Sequence, residues 1–248
     1  MNTRPARAIA GFLRRLTRAG SAPPETAGAA PLIAAHRAVF PRAATEQLMR
    51  AYALAEACHR GQARNSGEPY ITHPLAVTLI LAGIGMDTDS LTAALLHDTV
   101  EDTDLTINQV AAGFGRDVAM LVDGVTKMDG EKWGKQVAEA ETYRKMLVAA
   151  DSDIRVLVIK IADRLHNLRT IGGHARSDKR ESIARQSTQL LVPLARRLGL
   201  YVFVREMEDL CFAVLEPVAY KRVRNLVECT TADRAVRIRE AAAPSGGH

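Results

Sequence analysis

Apolar residues recur at steps of three and four along most of this chain, which is the spacing of one face of an α-helix. In 45–60, for example, Leu48, Ala51, Tyr52 and Ala55 would share one apolar face. Comparable faces occur in 74–83, 88–98, 106–112, 116–124, 137–150, 153–169, 180–197 and 202–214. The sequence shows neither the alternation typical of strands nor a repeat of fixed period. It therefore predicts an all-α fold with short connections between the helices.

Local signals suggest where several of these helices begin and end. Thr88 and Thr106 are expected to cap helix starts, because a threonine hydroxyl can accept a hydrogen bond from a free backbone N–H group. Gly61, Gly113 and Gly199 are expected to end helices, because glycine adopts the left-handed conformation without strain.

The charge of the chain is concentrated in its first residues. Of 33 basic residues, five are arginines within 1–24, a stretch without acidic residues, which leaves 28 basic against 28 acidic residues elsewhere. A neutral body with only 4% aromatic residues is not typical of a nucleic-acid-binding domain, which needs cations and stacking platforms. We therefore expect no nucleic-acid partner.

The arginine-rich stretch differs from the rest of the chain. Ile9, Phe12 and Leu16 lie at roughly helical spacing among the arginines, so the tail is either loosely docked or contacts a membrane surface or a partner. The expected organisation is a flexible basic tail and linker at 1–30, one helical domain at 31–230 and a flexible tail at 231–248.

Cysteine usage and hydropathy constrain the cellular setting. Cys58, Cys211 and Cys229 are too scattered for a disulfide framework or a zinc ribbon, which favours the reducing cytoplasm. No run approaches the roughly 18 apolar residues that a membrane-spanning helix requires. We expect a cytoplasmic protein without a membrane span.

Two histidines and two aspartates form the most informative polar set. His73 follows a turn-rich stretch, His97 and Asp98 end an apolar helix, and Asp163 follows a very apolar run. Each has an ordinary explanation alone, such as helix capping or pairing with a nearby arginine, but together they favour a divalent-metal site. Imidazole and carboxylate ligands suit Mn, Fe, Co, Ni or Zn, and four protein ligands leave room for water and substrate.

The segments around these residues resemble the hydrolase domain of RelA/SpoT homologues. The similar segments are 59–62, 67–74, 97–103 and 160–170, within a resemblance that covers roughly 44–228. This resemblance implies the helical bundle of HD-domain metal-dependent phosphohydrolases, with His73, His97, Asp98 and Asp163 as ligands and Mn²⁺ as the usual ion. It also implies removal of pyrophosphate from the ribose 3′ position of guanosine tetra- or pentaphosphate, leaving GDP or GTP.

The resemblance also implies roles for further residues. Glu101 and Asp102 match the catalytic acid pair, which would position or deprotonate water and assist the leaving ribose oxygen. The expected substrate-binding residues are Arg64, Asn65, Ser66, Asn167, Thr170 and Lys179. Many relatives have lysine where this chain has Asn65, which leaves open a different nucleotide such as the adenosine analogue of the alarmone.

Two segments bear on regulation and on the range of activities. Residues 124–128 and the polar stretch 129–136, which contains Trp133, resemble a mobile segment that could gate the site, although an ordinary surface loop fits as well. Residues 193–220 resemble helices that lead into a synthetase domain in longer relatives. Too few residues follow for such a domain, so we expect hydrolysis alone. The remaining alternatives are a catalytically idle alarmone sensor and a helical scaffold.

Overall fold

The computed structural model describes residues 27–129, 153–174 and 176–242, and within these ranges it is helical. The twelve helices described are α1 Ala30–Val39, α2 Glu46–Cys58, α3 Thr72–Gly83, α4 Thr88–Leu96, α5 Thr99–Asp102, α6 Ile107–Phe114, α7 Arg116–Asp129, α8 Ile154–Arg169, α9 Ser177–Gln186, α10 Val192–Arg197, α11 Tyr201–Leu215 and α12 Pro217–Ala242. Extended pairing in the described ranges is limited to an isolated bridge between Ala63 and Pro69. The predicted all-α fold is confirmed. The predicted helix 137–150 and most of the segment 129–136 lie outside the described residues.

Several helix limits differ from those predicted. Thr106 does cap α6, in a capping box with Gln109, but the cap of α4 is Asp87 rather than Thr88, since the Asp87 carboxylate accepts the Ser90 N–H at 2.8 Å. The residue that ends α6 with a positive φ is Gly115, at +94°, and not Gly113. Both differences are shifts of one or two positions, which periodicity alone does not resolve.

The predicted helix 180–197 is two α-helices joined by a π-helical turn, Ser187–Leu191. The turn immediately precedes Pro193, which lies at the start of α10. Proline has no N–H to donate and its ring displaces the carbonyl one turn earlier, so a regular α-helix cannot pass through this point.

The folded part extends beyond the expected domain limits at both ends. A 3₁₀ turn, Ala27–Ala29, precedes α1, and both Ala29 and Leu32 are buried in the core. At the other end α12 continues to Ala242, past the expected limit at 230. Residues 1–26 and 243–248 lie outside the described part of the chain.

Two buried helices, α4 and α8, form the centre of the fold. Helix α4 packs against α2, α3 and α7, and α8 packs against α3, α7 and α11. Leu91, Leu95 and Leu96 of α4 and Ile159 and Ile161 of α8 are fully buried. Residues 90–96 of α4 and 156–162 of α8 are all buried, which explains why these stretches are mostly apolar on every face. His97, which follows α4, and Asp163 in α8 are therefore held in position by buried helices.

A pair of N-caps joins the starts of these central helices. Asp153 accepts the Arg155 N–H at 2.9 Å and caps α8, while Asp87 caps α4. The Arg155 guanidinium binds both carboxylates, Asp153 at 2.7 Å and Asp87 at 3.3 Å. This bridge fixes the relative position of the helices that deliver His97 and Asp163.

Gly124 allows α7 and α8 to approach closely. A Cβ atom built at Gly124 would lie 2.8 Å from Cγ2 and 3.2 Å from Cγ1 of Val156, a buried β-branched side chain. We expect Gly124→Ala to lower the free energy of unfolding by about 1–2 kcal/mol, because overpacking outweighs the gain in helix propensity.

Urea unfolding of Gly124→Ala and Gly83→Ala would test this explanation. Gly83 is exposed in α3 and a Cβ there meets no atom within 4 Å, so Gly83→Ala should be neutral or stabilising. A Gly124→Ala protein at least as stable as wild type would show that the close approach is not required.

None of the described helices combines the length and hydropathy that are needed to cross a bilayer.

Candidate metal and active site

His73, His97, Asp98 and Asp163 converge at one point, although they come from different parts of the chain. His73 lies in the first turn of α3, His97 and Asp98 lie between α4 and α5, and Asp163 lies in α8. His73 Nε2 is 3.2 Å from Asp163 Oδ1 and 3.5 Å from Asp98 Oδ2. Ligand atoms of His73, His97 and Asp163 all lie within 4.8 Å of one another. This separation suits side chains that share one ion.

The hydrogen bonds of His97 leave one of its nitrogens directed at this point. Its Nδ1 lies 2.7 Å from the Ala94 carbonyl oxygen, which can only accept, so Nδ1 carries the proton. Its Nε2 is buried and lies 3.0 Å from Asp98 Oδ1, yet it has no hydrogen-bond partner of good geometry among the described residues. An orphaned nitrogen beside a carboxylate is the arrangement expected of a metal ligand.

The electrostatics of His97 also favour a cation. Burial lowers the pKa of His97, but the negative charges of Asp98 and Asp163 outweigh burial and raise it to about 9. The cluster therefore stabilises positive charge at the point where the four side chains meet.

Asp163 is held as a buried carboxylate by partners on its own helix. Lys160 Nζ donates to Asp163 Oδ2 at 2.9 Å and Asn167 Nδ2 donates to Oδ1 at 2.7 Å. Burial raises the pKa of Asp163, but the Lys160 ammonium and His73 hold it well below its usual range. The partner is therefore Lys160 and not Arg169, which binds Glu206.

Tyr70 connects the ligand cluster to the acid pair. Its hydroxyl lies 2.8 Å from Asp98 Oδ2 and 3.0 Å from Asp102 Oδ2, and its ring stacks on His59 with centroids 4.4 Å apart. Burial and both carboxylates raise the pKa of Tyr70, so the hydroxyl stays protonated and donates to one carboxylate at a time. The sequence interpretation assigned no role to Tyr70, although it lies three residues before His73.

Arg64, which was predicted to bind substrate, contacts the residues around the cluster. Its Nη2 donates to Asn167 Oδ1 at 3.1 Å, and its Nη1 lies 3.2 Å from His73 Nδ1 and 3.0 Å from His166 Nδ1. Burial and the charges of His73 and Arg64 lower the pKa of His166 to about 4. Arg64 and Asn167 therefore support the ligands, whatever they contribute to substrate binding.

A cavity of about 450 Å³ opens onto these groups. Its lining includes most of the residues predicted for the site: Arg64, Asn65, Ser66, His73, Asp98, Glu101, Asp102, Asp163, Asn167 and Thr170. His97 lies buried behind this wall. Lys179 is exposed on α9 and is not part of the lining, but its charge helps to lower the pKa of His174 at the rim.

The rim of the cavity contains a pairing that was not predicted. Asn65 Nδ2 lies 3.0 Å from His174 Nδ1, which joins the loop before α3 to the turn after α8. Gly173 lies against Ser66 in the same place, with a Cβ position 3.6 Å from the Ser66 nitrogen. Lysine at position 65 would replace the amide beside His174 with a longer, positively charged side chain, so the exchange of lysine for asparagine changes both the size and the charge of this part of the rim.

Comparisons with known proteins agree with this geometry. A family model described as the HD domain matches residues 51–201. The GTP pyrophosphokinase of Streptomyces coelicolor is 54% identical over 181 residues, which cover 73% of this chain and 21% of that protein. The bifunctional (p)ppGpp synthase/hydrolase SpoT of Escherichia coli K12 is 45% identical over 202 residues, 81% of this chain and 29% of that protein. The chain thus spans less than a third of the length of these relatives.

A solved structure provides a match of similar length. It is described as a metazoan ortholog of SpoT that hydrolyzes ppGpp and plays a role in starvation responses. The TM-score is 0.50 at 29% identity, and the match covers 71% of this chain and 95% of that one. The chain belongs to the HD-domain family and is homologous to the SpoT/RelA proteins.

Proposed function

We propose that this protein is a metal-dependent pyrophosphohydrolase that removes the 3′-diphosphate of guanosine tetra- or pentaphosphate and leaves GDP or GTP. The convergence of His73, His97, Asp98 and Asp163 at one point beside a 450 Å³ cavity that the acid pair also lines carries this proposal. The SpoT relative and the metazoan ortholog, which are described as acting on (p)ppGpp or ppGpp, support the choice of substrate.

His73, His97, Asp98 and Asp163 are the proposed ligands, and Mn²⁺ is the proposed ion. When bound, the ion would act as a Lewis acid that neutralises the diphosphate and makes water more acidic. The donor set of two imidazoles and two carboxylates fits such an ion better than an all-oxygen Ca²⁺ site.

Glu101 and Asp102 would carry out the two proton transfers of the reaction. Hydrolysis breaks the bond between the ribose 3′ oxygen and phosphorus, so one proton must leave the attacking water and one must reach the ribose oxygen. Both carboxylates line the cavity beside Asp98, and the Tyr70 hydroxyl orients Asp102. A pair of neighbouring acids can exchange the roles of base and acid in this way.

Arg64, Asn65, Ser66, Asn167 and Thr170 also line the cavity and are the proposed nucleoside-binding residues. Lys179 is proposed to contribute positive charge from outside the rim. We place the enzyme in the cytoplasm, with a nucleotide and no nucleic acid as its partner. The arginine-rich residues 1–24 are proposed to be dispensable for hydrolysis, whether they are loosely docked or contact a membrane surface or a partner.

Selectivity for the base provides the most direct test. Purified protein with Mn²⁺ is incubated with guanosine and adenosine 3′-diphosphorylated nucleotides, and released pyrophosphate is measured. We expect release from the guanosine compounds, and a shift in the guanosine to adenosine ratio of kcat/KM in Asn65→Lys, which replaces the amide beside His174 with a longer, positively charged side chain. No release from any compound would refute the hydrolase assignment, and faster release from the adenosine compounds would favour the alternative substrate.

A further inference from the structure

His166 lies directly behind His73, on the side away from the ligand cluster. It follows Asp163 by three residues on α8, and its Nδ1 is 2.8 Å from His73 Nδ1. The two rings have centroids 4.9 Å apart and are tilted by 46°.

The two nitrogens of His73 face different surroundings. Nε2 faces the carboxylates of Asp98 and Asp163, whereas Nδ1 faces His166 and Arg64. A neutral histidine that binds a metal through one nitrogen carries its proton on the other. If Nε2 is the ligand, then Nδ1–H must find a hydrogen-bond acceptor.

His166 is the acceptor that the geometry provides. Arg64 Nη1 lies 3.2 Å from His73 Nδ1, but a guanidinium group has only donors. His166 Nδ1 is closer, and it also lies 3.0 Å from Arg64 Nη1. Both contacts of Arg64 Nη1 require a lone pair on the ring nitrogen, and the shorter one is to His166 Nδ1. If His73 Nε2 binds the ion, His73 Nδ1 carries the proton and has no lone pair, so His166 Nδ1 is the nitrogen that keeps one.

We infer that His166 is a positioning residue for the metal centre: its Nδ1 accepts the His73 Nδ1–H and leaves the His73 Nε2 lone pair directed at the ion. Arg64 holds the His166 ring and also binds Asn167, which binds Asp163. Two ligands, His73 and Asp163, are thereby fixed by one hydrogen-bonded ring of side chains. The inference rests on the proposed metal site and adds the residue that sets the orientation of His73.

Two substitutions at one position separate this role from simple packing. His166→Leu keeps a side chain of moderate size at this position but removes the hydrogen-bond acceptor. His166→Asn is smaller but can place an amide oxygen near the position of Nδ1. The matched control is His174→Leu, because His174 lines the same cavity but contacts Asn65 and no proposed ligand.

Calorimetric titration with Mn²⁺ alone measures the effect without reference to turnover. We expect His166→Leu to weaken Mn²⁺ binding by about 10–100-fold, with affinity close to wild type in His166→Asn and His174→Leu. Folded His166→Leu protein with wild-type affinity would overturn the inference, and so would an asparagine variant as weak as the leucine variant. Wild-type protein that binds no metal would instead refute the proposed function, and the inference with it.

A measurement on the wild-type protein covers the case in which His166→Leu does not fold. Zn²⁺ is diamagnetic, so ¹⁵N NMR of the Zn²⁺-loaded protein reports which nitrogen of each histidine carries a proton. We expect His73 to be protonated at Nδ1 and His166 to be unprotonated at Nδ1. A His73 ring protonated at Nε2 in the loaded protein would contradict the inference.

Discussion

Asp163→Asn is expected to abolish Mn²⁺ binding and, with it, pyrophosphate release. The substitution removes the charge of a ligand that lies 3.2 Å from His73 Nε2. It also leaves the buried Lys160 ammonium without the carboxylate at 2.9 Å that balances it. Because removing one partner of a buried ion pair is costly, the free energy of unfolding should fall by about 3–5 kcal/mol.

A double substitution separates the loss of the ligand from the loss of stability. In Asp163→Asn/Lys160→Met the buried charge is removed together with its partner, so urea unfolding should show that much of the stability returns. Calorimetry should show that Mn²⁺ binding does not return. Asp117→Asn, at an exposed position on α7 outside the cavity, is the control and should resemble wild type. Tight Mn²⁺ binding by folded Asp163→Asn would remove Asp163 from the proposed ligand set.

The helical fold and the residues that meet in the cavity could be predicted from the sequence for different reasons. The fold follows from periodicity, because apolar residues at steps of three and four make an amphipathic face. The four proposed ligands were identified because histidine and aspartate at the ends of apolar helices are unusual. The middle parts of α4 and α8 are buried and the Arg155 bridge joins their N-caps, so His97 and Asp163 are held close together.

The supporting residues were missed because their direction depends on packing. Tyr70 and His166 are ordinary residues in a turn and on a helix until α3 and α8 bring them beside Asp98 and His73. Lys160 could have been found, since a lysine in an apolar run three residues before an aspartate lies on the same face of the helix. Arg64 was placed in the substrate site by resemblance and it does line the cavity, but its contacts with His73, His166 and Asn167 were not predicted.

The break between α4 and α5 also depends on tertiary structure. The sequence predicted one helix through 88–98, but α4 ends at Leu96 and a separate four-residue helix, Thr99–Asp102, follows. Glu101 and Asp102 lie in this short helix and line the same cavity as Asp98. The pattern of apolar residues does not predict such a break, because Leu96, His97 and Thr99 are buried and burial therefore continues across it.

Glu101→Gln is expected to retain metal binding but to lose turnover. Glu101 lines the cavity in α5 and is not among the side chains that converge on His73, so Mn²⁺ affinity should remain near the wild-type value. An amide cannot accept or release a proton at neutral pH, and loss of one general acid or base lowers kcat by about 10²–10⁴-fold. The measurements are calorimetry with Mn²⁺ and the rate of pyrophosphate release from guanosine tetraphosphate.

Asp104→Asn is the matched control for this substitution. Asp104 is exposed, lies three residues after Glu101 and does not line the cavity, so its replacement makes the same carboxylate-to-amide change at a distance from the proposed chemistry. It should leave both measurements unchanged. Asp102→Asn, which keeps a hydrogen-bond acceptor for Tyr70, should behave like Glu101→Gln if the two acids share the proton transfers. If Glu101→Gln instead lost metal affinity in parallel with turnover, Glu101 would belong to the ligand set. The acid pair would then no longer explain the transfer of one proton from water and of one to the ribose oxygen.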